Sequence, residues 1–325
     1  MIHLSRRPLI ALALGALLPM AAQPQSATYP DKPIRFVVPY PPGGGTDVIA
    51  RIVQGKFQAA LGQTIVIENK GGGGGSIGSD IVAKSAPDGY TVLFTLSSHT
   101  INPAIFPKLP FDTVKDFEPV GLVASLPQIL VANPAFPANT VAEMTALAKA
   151  KPGTMVFASV GNGSPGHLAG EMHALRIGTP LTHIPYRGGG PAVTDVMGGQ
   201  VPTLWVSIPA AAQFVKTGKL KALAVSTLKR SAAFPDVPTM QESGIADFEV
   251  DSWYAMFVPA KTPRAIVERL NKALNTVVSD PEVRERLLAQ GAEGVGGTPE
   301  RLGQAVAAEL PKWAKLAKDA NIKAD

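Results

Sequence analysis

The sequence predicts an α/β protein built as two lobes with a cleft between them. Three observations carry this. Residues 34–97 alternate short β-branched runs with helical patterns, a βαβαβ order that implies a parallel sheet covered by helices. The opening device of that unit, a strand running through a glycine turn into a helix start, occurs again at 155–167. Two extended apolar runs, 117–134 and 248–258, carry no helical caps and read as strands crossing between the lobes. At 325 residues with 46% hydrophobic content, the chain is long enough for two domains with real cores.

Residues 34–40 (I-R-F-V-V-P-Y) are short and apolar, as a buried strand should be. Val48, Ile49, Ile52, Val53 and Phe57 then recur at helical spacing. Residues 64–69 and 91–97 are the next strands, with a helix from 76 to about 86 and a Pro87-Asp88-Gly89 turn between them. Helices are expected at 140–151, from Ser164 onward, at 191–197 and at 209–218. Strands are expected at 155–160, 181–186, 203–208 and 220–227. Three helices close the chain, at 263–278, 281–290 and 299 to about 318. Thr262-Pro263, Asp280-Pro281 and Thr298-Pro299 each read as an N-cap followed by proline, and these helices should pack back on the first lobe. The expected division is an export segment at 1–22, one lobe from 29–124 plus 251–325, and a second lobe from 125–250.

The first 22 residues read as a signal peptide: Arg6 and Arg7 precede an apolar stretch from 9 to 22, too short to span a bilayer well. Ser5-Arg6-Arg7-Pro8-Leu9 also fits a twin-arginine signal, so export by the general or the twin-arginine route places the mature chain in the periplasm. Loss of the two arginines lowers the formal net charge from +5 to +3. No basic cluster with interleaved aromatics is present, which argues against nucleic acid. The chain has no cysteine, so disulfides, thiolate catalysis and Cys-based metal sites are excluded.

The turn at 40–47 (Y-P-P-G-G-G-T-D) organises the candidate site. Glycine permits tight turning and close approach of a ligand to the backbone. Thr46 suits an N-cap, and Asp47 sits where the helix dipole favours a carboxylate, or where it could meet a ligand amino group. Free N–H groups at such a helix start bind anions, and a carboxylate is small enough to fit. A side chain at Gly44 should block that approach. The second turn, Gly161-Asn162-Gly163-Ser164, leads to Pro165 at the first helical position, a strong helix start.

Three rival sites are weaker. Gly73-x-Gly75-x-x-Gly78 matches a dinucleotide fingerprint, but the strand at 91–97 ends in no ribose-binding acid, so no cofactor is expected. Asn162-Gly163-Ser164-Pro165-Gly166 approaches a nucleophile elbow with Asn in place of the first glycine, and Ser164 is better used as a cap. His167 and Glu171 lie four apart with His173 nearby, yet no third zinc ligand is evident, and no metal is expected. Trp205 and Trp253 read as packing residues.

Taken in order, V-P-Y-P-P-G-G-G-T-D, P-D-G-Y-T-V-L, V-G-N-G-S-P-G-H-L, I-P-Y-R-G-G-G-P-A, V-P-T-M-Q-E-S-G and F-V-P-A-K-T-P resemble the Bug family, the solute receptors of tripartite tricarboxylate transporters. The resemblance covers nearly all of the mature chain. It implies a type II-like periplasmic binding protein fold, with two doubly wound lobes joined by hinge strands and closing on a small carboxylate. It implies a receptor and not an enzyme; the alternative readings are a sensory receptor for a signalling partner or an α/β enzyme. The expected partners are the ligand (a di- or tricarboxylate, an amino acid or an aromatic acid) and membrane transporter subunits, with the receptor itself a monomer. The resemblance implies a cleft formed by residues 41–47, 97–99, 161–164 and 186–188, and the candidate ligand-binding residues are Tyr40, Pro42, Gly43, Gly44, Gly45, Thr46 and Asp47 in the first turn, then Ser97, Ser98 and His99. The second lobe adds Gly161, Asn162, Gly163, Ser164, His167, Tyr186, Arg187, Gly188 and Asp195. Pro42 has no N–H, so that position offers no donor.

Overall fold

The computed structural model describes residues 29–106, 108–319 and 322, so the export segment lies outside the described residues. In chain order the elements are β1 (Ile34–Val38), α1 (Gly45–Leu61), β2 (Ile65–Asn69), a 3₁₀ turn (Gly73–Gly75), α2 (Ser76–Ala83), β3 (Thr91–Leu96), α3 (Ser98–Ile105) and β4 (Phe117–Ala132). There follow α4 (Val141–Ala150), β5 (Val156–Ser159), α5 (Pro165–Ile177), β6 (Thr182–Pro185), α6 (Gly189–Met197), β7 (Thr203–Ser207), α7 (Ile208–Lys216) and β8 (Lys221–Val225). The return is β9 (Asp251–Pro259), α8 (Arg264–Ser279), α9 (Pro281–Ala289), β10 (Glu293–Gly296) and α10 (Pro299–Asp319).

The opening βαβαβ unit forms as expected, with β1 parallel to both β2 and β3. The strands run in the order β2-β1-β3-β9-β4-β7-β5-β6, with β8 and β10 also paired to β4. The sixteen-residue β4 is what joins the halves. Its first part, from Phe117 to Pro127, pairs with β9, and its second part, from Gln128 to Ala132, pairs with β7. Where the register changes partner, Ser226 ties outgoing to returning chain: its hydroxyl accepts from Gln128 N (2.9 Å) and donates to Val250 O (2.6 Å).

Successive residues of each central strand feed opposite cores, because side chains alternate across a strand. Phe36 and Val38 pack with Phe57, Phe94 and Leu270 beneath α1 and α8, while Val37 joins Leu93, Phe257 and Leu302 beneath α2 and α10. On β4, Leu130 packs with Phe157, Trp205 and Phe248, and its neighbours Ile129 and Val131 pack with Val193 and Val206. The three C-terminal helices thus contribute to the cores around β1, β3 and β9, as expected. One smaller cluster joins the two halves directly: Ile101 and Ile105 of α3, Leu168 of α5 and Trp313 of α10.

Two elements depart from expectation. Residues 98–105 form α3 despite Pro103, which is tolerated in a short helix packed against α10. Glu293–Gly296 adds β10 antiparallel to β4, although Glu-Gly-Val-Gly lacks the β-branched run that marks a strand.

Candidate functional site

The helix start at the first turn is not where hydroxyl preference put it. Gly44, not Thr46, is the N-cap of α1, in extended geometry (φ −76°, ψ 166°), and no side chain caps the helix. Asp47 is only 3% exposed and its carboxylate is already used. It accepts from Gly43 N (3.0 Å), Arg51 Nε (2.9 Å) and Asn69 Nδ2 (3.1 Å). Burial works against its charged form, but these donors outweigh burial and hold the carboxyl below the ordinary value. Asp47 therefore shapes the turn from within its own half. The first chain amide of the helix to find a backbone acceptor is Val48, on Gly44 O. Among the described residues the amides of Gly44, Gly45, Thr46 and Asp47 find none.

This helix start lies against the other half of the molecule, next to Ser207 and Gly189. A Cβ added at Gly45 would lie 2.2 Å from Ser207 Oγ and 2.5 Å from the Tyr254 hydroxyl. One added at Gly44 would meet nothing closer than 3.6 Å, from Gly189 N, so Gly45 and not Gly44 is the position where any side chain is blocked. The Tyr254 hydroxyl donates to Ser207 Oγ (3.2 Å), and Thr46 is its other side-chain partner. Tyr40 donates to Gly74 O (3.1 Å) and also meets the Ser98 hydroxyl. Burial pushes both phenols above the ordinary tyrosine value, so both stay protonated donors. Ser207, Tyr254, Gly189 and Asn102 were not singled out in the sequence. They reach the site only because β7, β9, α6 and α3 converge there.

The third glycine turn behaves like the first. Gly188 is the N-cap of α6, again with no side-chain cap, and Pro191 has no N–H to satisfy. Pro41 wedges between the halves: a Cβ at Gly188 would lie 2.7 Å from its Cδ, and one at Gly71 would lie 3.0 Å away. Pro42 and Gly43, by contrast, are exposed.

The second turn is built differently. Ser164 caps α5, its hydroxyl accepting from His167 N (3.2 Å). Gly161 N donates to Ser159 Oγ (3.1 Å), Gly163 N to His167 Nδ1 (3.3 Å) and Ser164 N to Gly161 O (3.1 Å). Asn162 alone in this turn keeps an amide with no acceptor among the described residues. The expectation of a second row of open donors here is corrected: side chains beside the turn consume them. Gly163 still needs to be glycine, because its φ is +75° and a Cβ would lie 2.1 Å from Asn102 Oδ1.

Two further candidates fall elsewhere. His99 is corrected to a core residue: it is 2% exposed, with its ring 4.6 Å from Phe257 and 4.9 Å from Phe117. Neither ring nitrogen has a partner, and burial pushes the ring down to about 4, so it stays neutral. Asp195 lies in α6 and accepts the Tyr186 hydroxyl (2.7 Å), which orients Tyr186. Ser97 turns its hydroxyl to Ser252 (3.3 Å). Arg187 is exposed and has no ion pair among the described residues. It lines a cavity of about 370 Å³ with Tyr40, Gly74, Phe106, Asn162 and Tyr186, drawn from both halves. Another cavity, of about 350 Å³, lies against β4 at Ser125 and Pro127 and shares no lining residue with the glycine turns.

The rival sites resolve on geometry. His173 is buried in the core with both nitrogens unpartnered; the group near His167 is instead Glu171 and His183. The rings of His167 and His183 stack at 4.0 Å and 11°. A metal sits in the plane of each ligating imidazole, and two nearly parallel planes 4 Å apart do not converge on one ion. Gly78 is small because a Cβ would lie 2.7 Å from Pro39 Cβ, where α2 packs on the first turn's strand.

Residues 49–322 match the family model described as the tripartite tricarboxylate transporter family receptor. The chain is 39% identical to protein BugT of Bordetella pertussis over 306 residues, which is 94% of each chain. It superposes on the periplasmic binding protein BugD with a TM-score of 0.87 at 38% identity, covering 91% of this chain and 99% of that one. It also matches MatC from Rhodopseudomonas palustris with bound malate, with a TM-score of 0.85 at 33% identity over 89% of this chain and 99% of that one. The fold is thus that of the two-lobe periplasmic binding proteins, and the chain belongs to the tripartite tricarboxylate transporter receptor family.

Proposed function

We propose that this receptor captures a small carboxylate in the periplasm by closing one lobe (29–124 plus 251–325) on the other (125–250), and delivers it to membrane transporter subunits. The observation that carries the reading is the meeting of two uncapped helix starts, α1 at Gly44 and α6 at Gly189, across the lobes. Each start carries about half a positive charge. At an effective dielectric of about 20, two half-charges roughly 5 Å apart repel by about 1 kcal/mol, whereas a carboxylate some 3 Å from both gains roughly 5 kcal/mol before desolvation. An anion between them therefore turns a mild repulsion into the strongest local attraction. The proximal carboxylate accepts from main-chain N–H groups, with the Ser207 hydroxyl, whose proton is not used by Tyr254, adding a donor. The binding of malate by MatC is in keeping with this chemistry.

One chain carries both jaws, so a single copy suffices. The hydroxyl that most resembles a nucleophile, Ser164, is spent on the α5 cap, and the His167 ring beside it faces Gly163. This supports a receptor over an enzyme. Calorimetry against malate, succinate, citrate, aspartate and benzoate tests the proposal: one or more should bind with a Kd in the micromolar range or below, unchanged in composition afterwards. Binding of none of the acids, or conversion of any of them, overturns it.

A further inference from the structure

The second turn is held in shape by a pair of histidines that ligand contact does not explain. Behind it, Ser159 Oγ meets His183 Nε2 at 2.7 Å, accepts from Gly161 N and reaches Gly161 O at 3.1 Å. The His183 ring lies flat on His167, and His167 Nδ1 receives the Gly163 N–H. The turn is therefore gripped at both glycines by one side-chain relay. A backbone N–H can only donate, so Nδ1 of His167 must be free of a proton, and the ring proton belongs on Nε2. There it faces Glu171 Oε1 at 3.6 Å. The ionisable groups that meet this ring are His183 from β6 and Glu171 from α5. From β5 comes only the Ser159 hydroxyl, through His183, and α3 brings the neutral Asn102 against Gly163. Burial, with His167 beside it, holds the His183 ring near 3 and hence neutral.

We propose that His167 is a positioning residue for ligand capture: as the neutral Nε2–H tautomer it withdraws the Gly163 amide, fixes the second turn, and leaves Asn162 N–H as the donor this turn offers the cleft. A proton on Nδ1 would oppose the Gly163 N–H donor to donor. It would also place a cation against the stacked His183 ring, where Glu171 offsets the charge from the far side only. The lobe-closed form is then favoured by neutral His167, and protonation of this ring opposes capture. This inference rests on the cleft reading above for its consequence, but its structural core needs no ligand.

The decisive measurement is a long-range ¹H–¹⁵N spectrum of the ligand-free chain labelled at histidine, at pH 7.5. His167, assigned by its absence in His167→Asn, should show a protonated Nε2 and a bare Nδ1; a proton on Nδ1 overturns the inference. The second measurement is the Kd for malate at pH 7.5 and 5.5. Asn Oδ1 replaces Nδ1 as an acceptor that does not titrate, so at pH 7.5 His167→Asn should bind more tightly than His167→Leu. On going to pH 5.5 the parent, whose Nδ1 can take a proton, should weaken more than His167→Asn, whose acceptor cannot. Taking the ratio of the two proteins cancels protonation of malate itself. Equal weakening of both overturns the inference and leaves the carboxylate site standing. His167→Leu, which has no acceptor, should bind weakly at both pH values. Failure of malate to bind at all would count against the cleft reading, and the tautomer spectrum would still decide the role of His167.

Discussion

Two turns with nearly identical backbone at the helix cap do opposite things in this protein. At the first, Gly44 precedes α1 with φ −76° and ψ 166°; at the second, Ser164 precedes α5 with φ −76° and ψ 154°. Both follow a strand and both contain a glycine at positive φ. What separates them is the side chains within reach of their amides. Gly44 offers no cap, and Asp47 takes only the Gly43 N–H, which lies outside the helix. Ser164, Ser159 and His167 between them take three donors of the second turn and its helix. A strand–glycine–helix signature therefore marks a possible anion site, and the absence of a nearby acceptor decides whether the site is open. By that test the counterpart of the first turn in the second lobe is α6, not α5.

The largest expected effect tests the open turn. Gly45→Val places a branched side chain against Ser207 Oγ and the Tyr254 hydroxyl, which a Cβ alone already approaches to 2.2 and 2.5 Å. Carboxylate affinity should fall more than about 100-fold, or roughly 3 kcal/mol. Unchanged affinity would mean that the α1 amides are not the site. A smaller effect tests the closed turn. Gly163→Ala sets a Cβ 2.1 Å from Asn102 Oδ1 at a φ of +75°. A cost of about 2 kcal/mol should hold the lobes apart, weaken binding roughly 30-fold, and enlarge the radius of gyration measured by X-ray scattering with ligand present. Tight binding with a compact scattering profile would show that the second turn does not seat against α3 on closure.

The architecture was legible because its signals are local or periodic. The βαβαβ opening, the crossing strands β4 and β9, and the caps at Ser164 and Asp280 all follow from runs of a few residues. Asp280 indeed accepts from the amides of both Glu282 and Val283. The first helix start was misplaced by one or two residues because hydroxyl preference pointed to Thr46, whereas the backbone turns at a glycine with nothing to cap. His99 follows a strand's carboxyl end, where ligands bind in such sheets, and yet its ring enters an aromatic core; the sequence cannot show which way one ring on a new helix turns. The pairing of His167 with His183 joins residues on different elements, and so does that of Gly45 with Ser207. Such contacts exist only once the lobes are folded and facing. Sequence spacing suggested His173 for the former, and the fold sends His173 into the core instead.

The smallest expected effect bears most directly on the contrast between the turns. Ser164 lies in a glycine loop beside the cleft, so its hydroxyl was a natural candidate for the ligand as well as for the helix. In the structure it accepts from His167 N at 3.2 Å, and the residue is 1% exposed. Ser164→Ala should therefore cost the cap, about 1 kcal/mol, and lower the melting temperature by about 2 °C in a chain of this size. Affinity should change less than about threefold, because the donors proposed to hold the carboxylate belong to α1 and α6. Calorimetry and a thermal scan on the same preparation separate the two outcomes. A loss of affinity greater than about tenfold with an unshifted melting temperature would make this hydroxyl a ligand contact, and the two turns would then be equivalent after all.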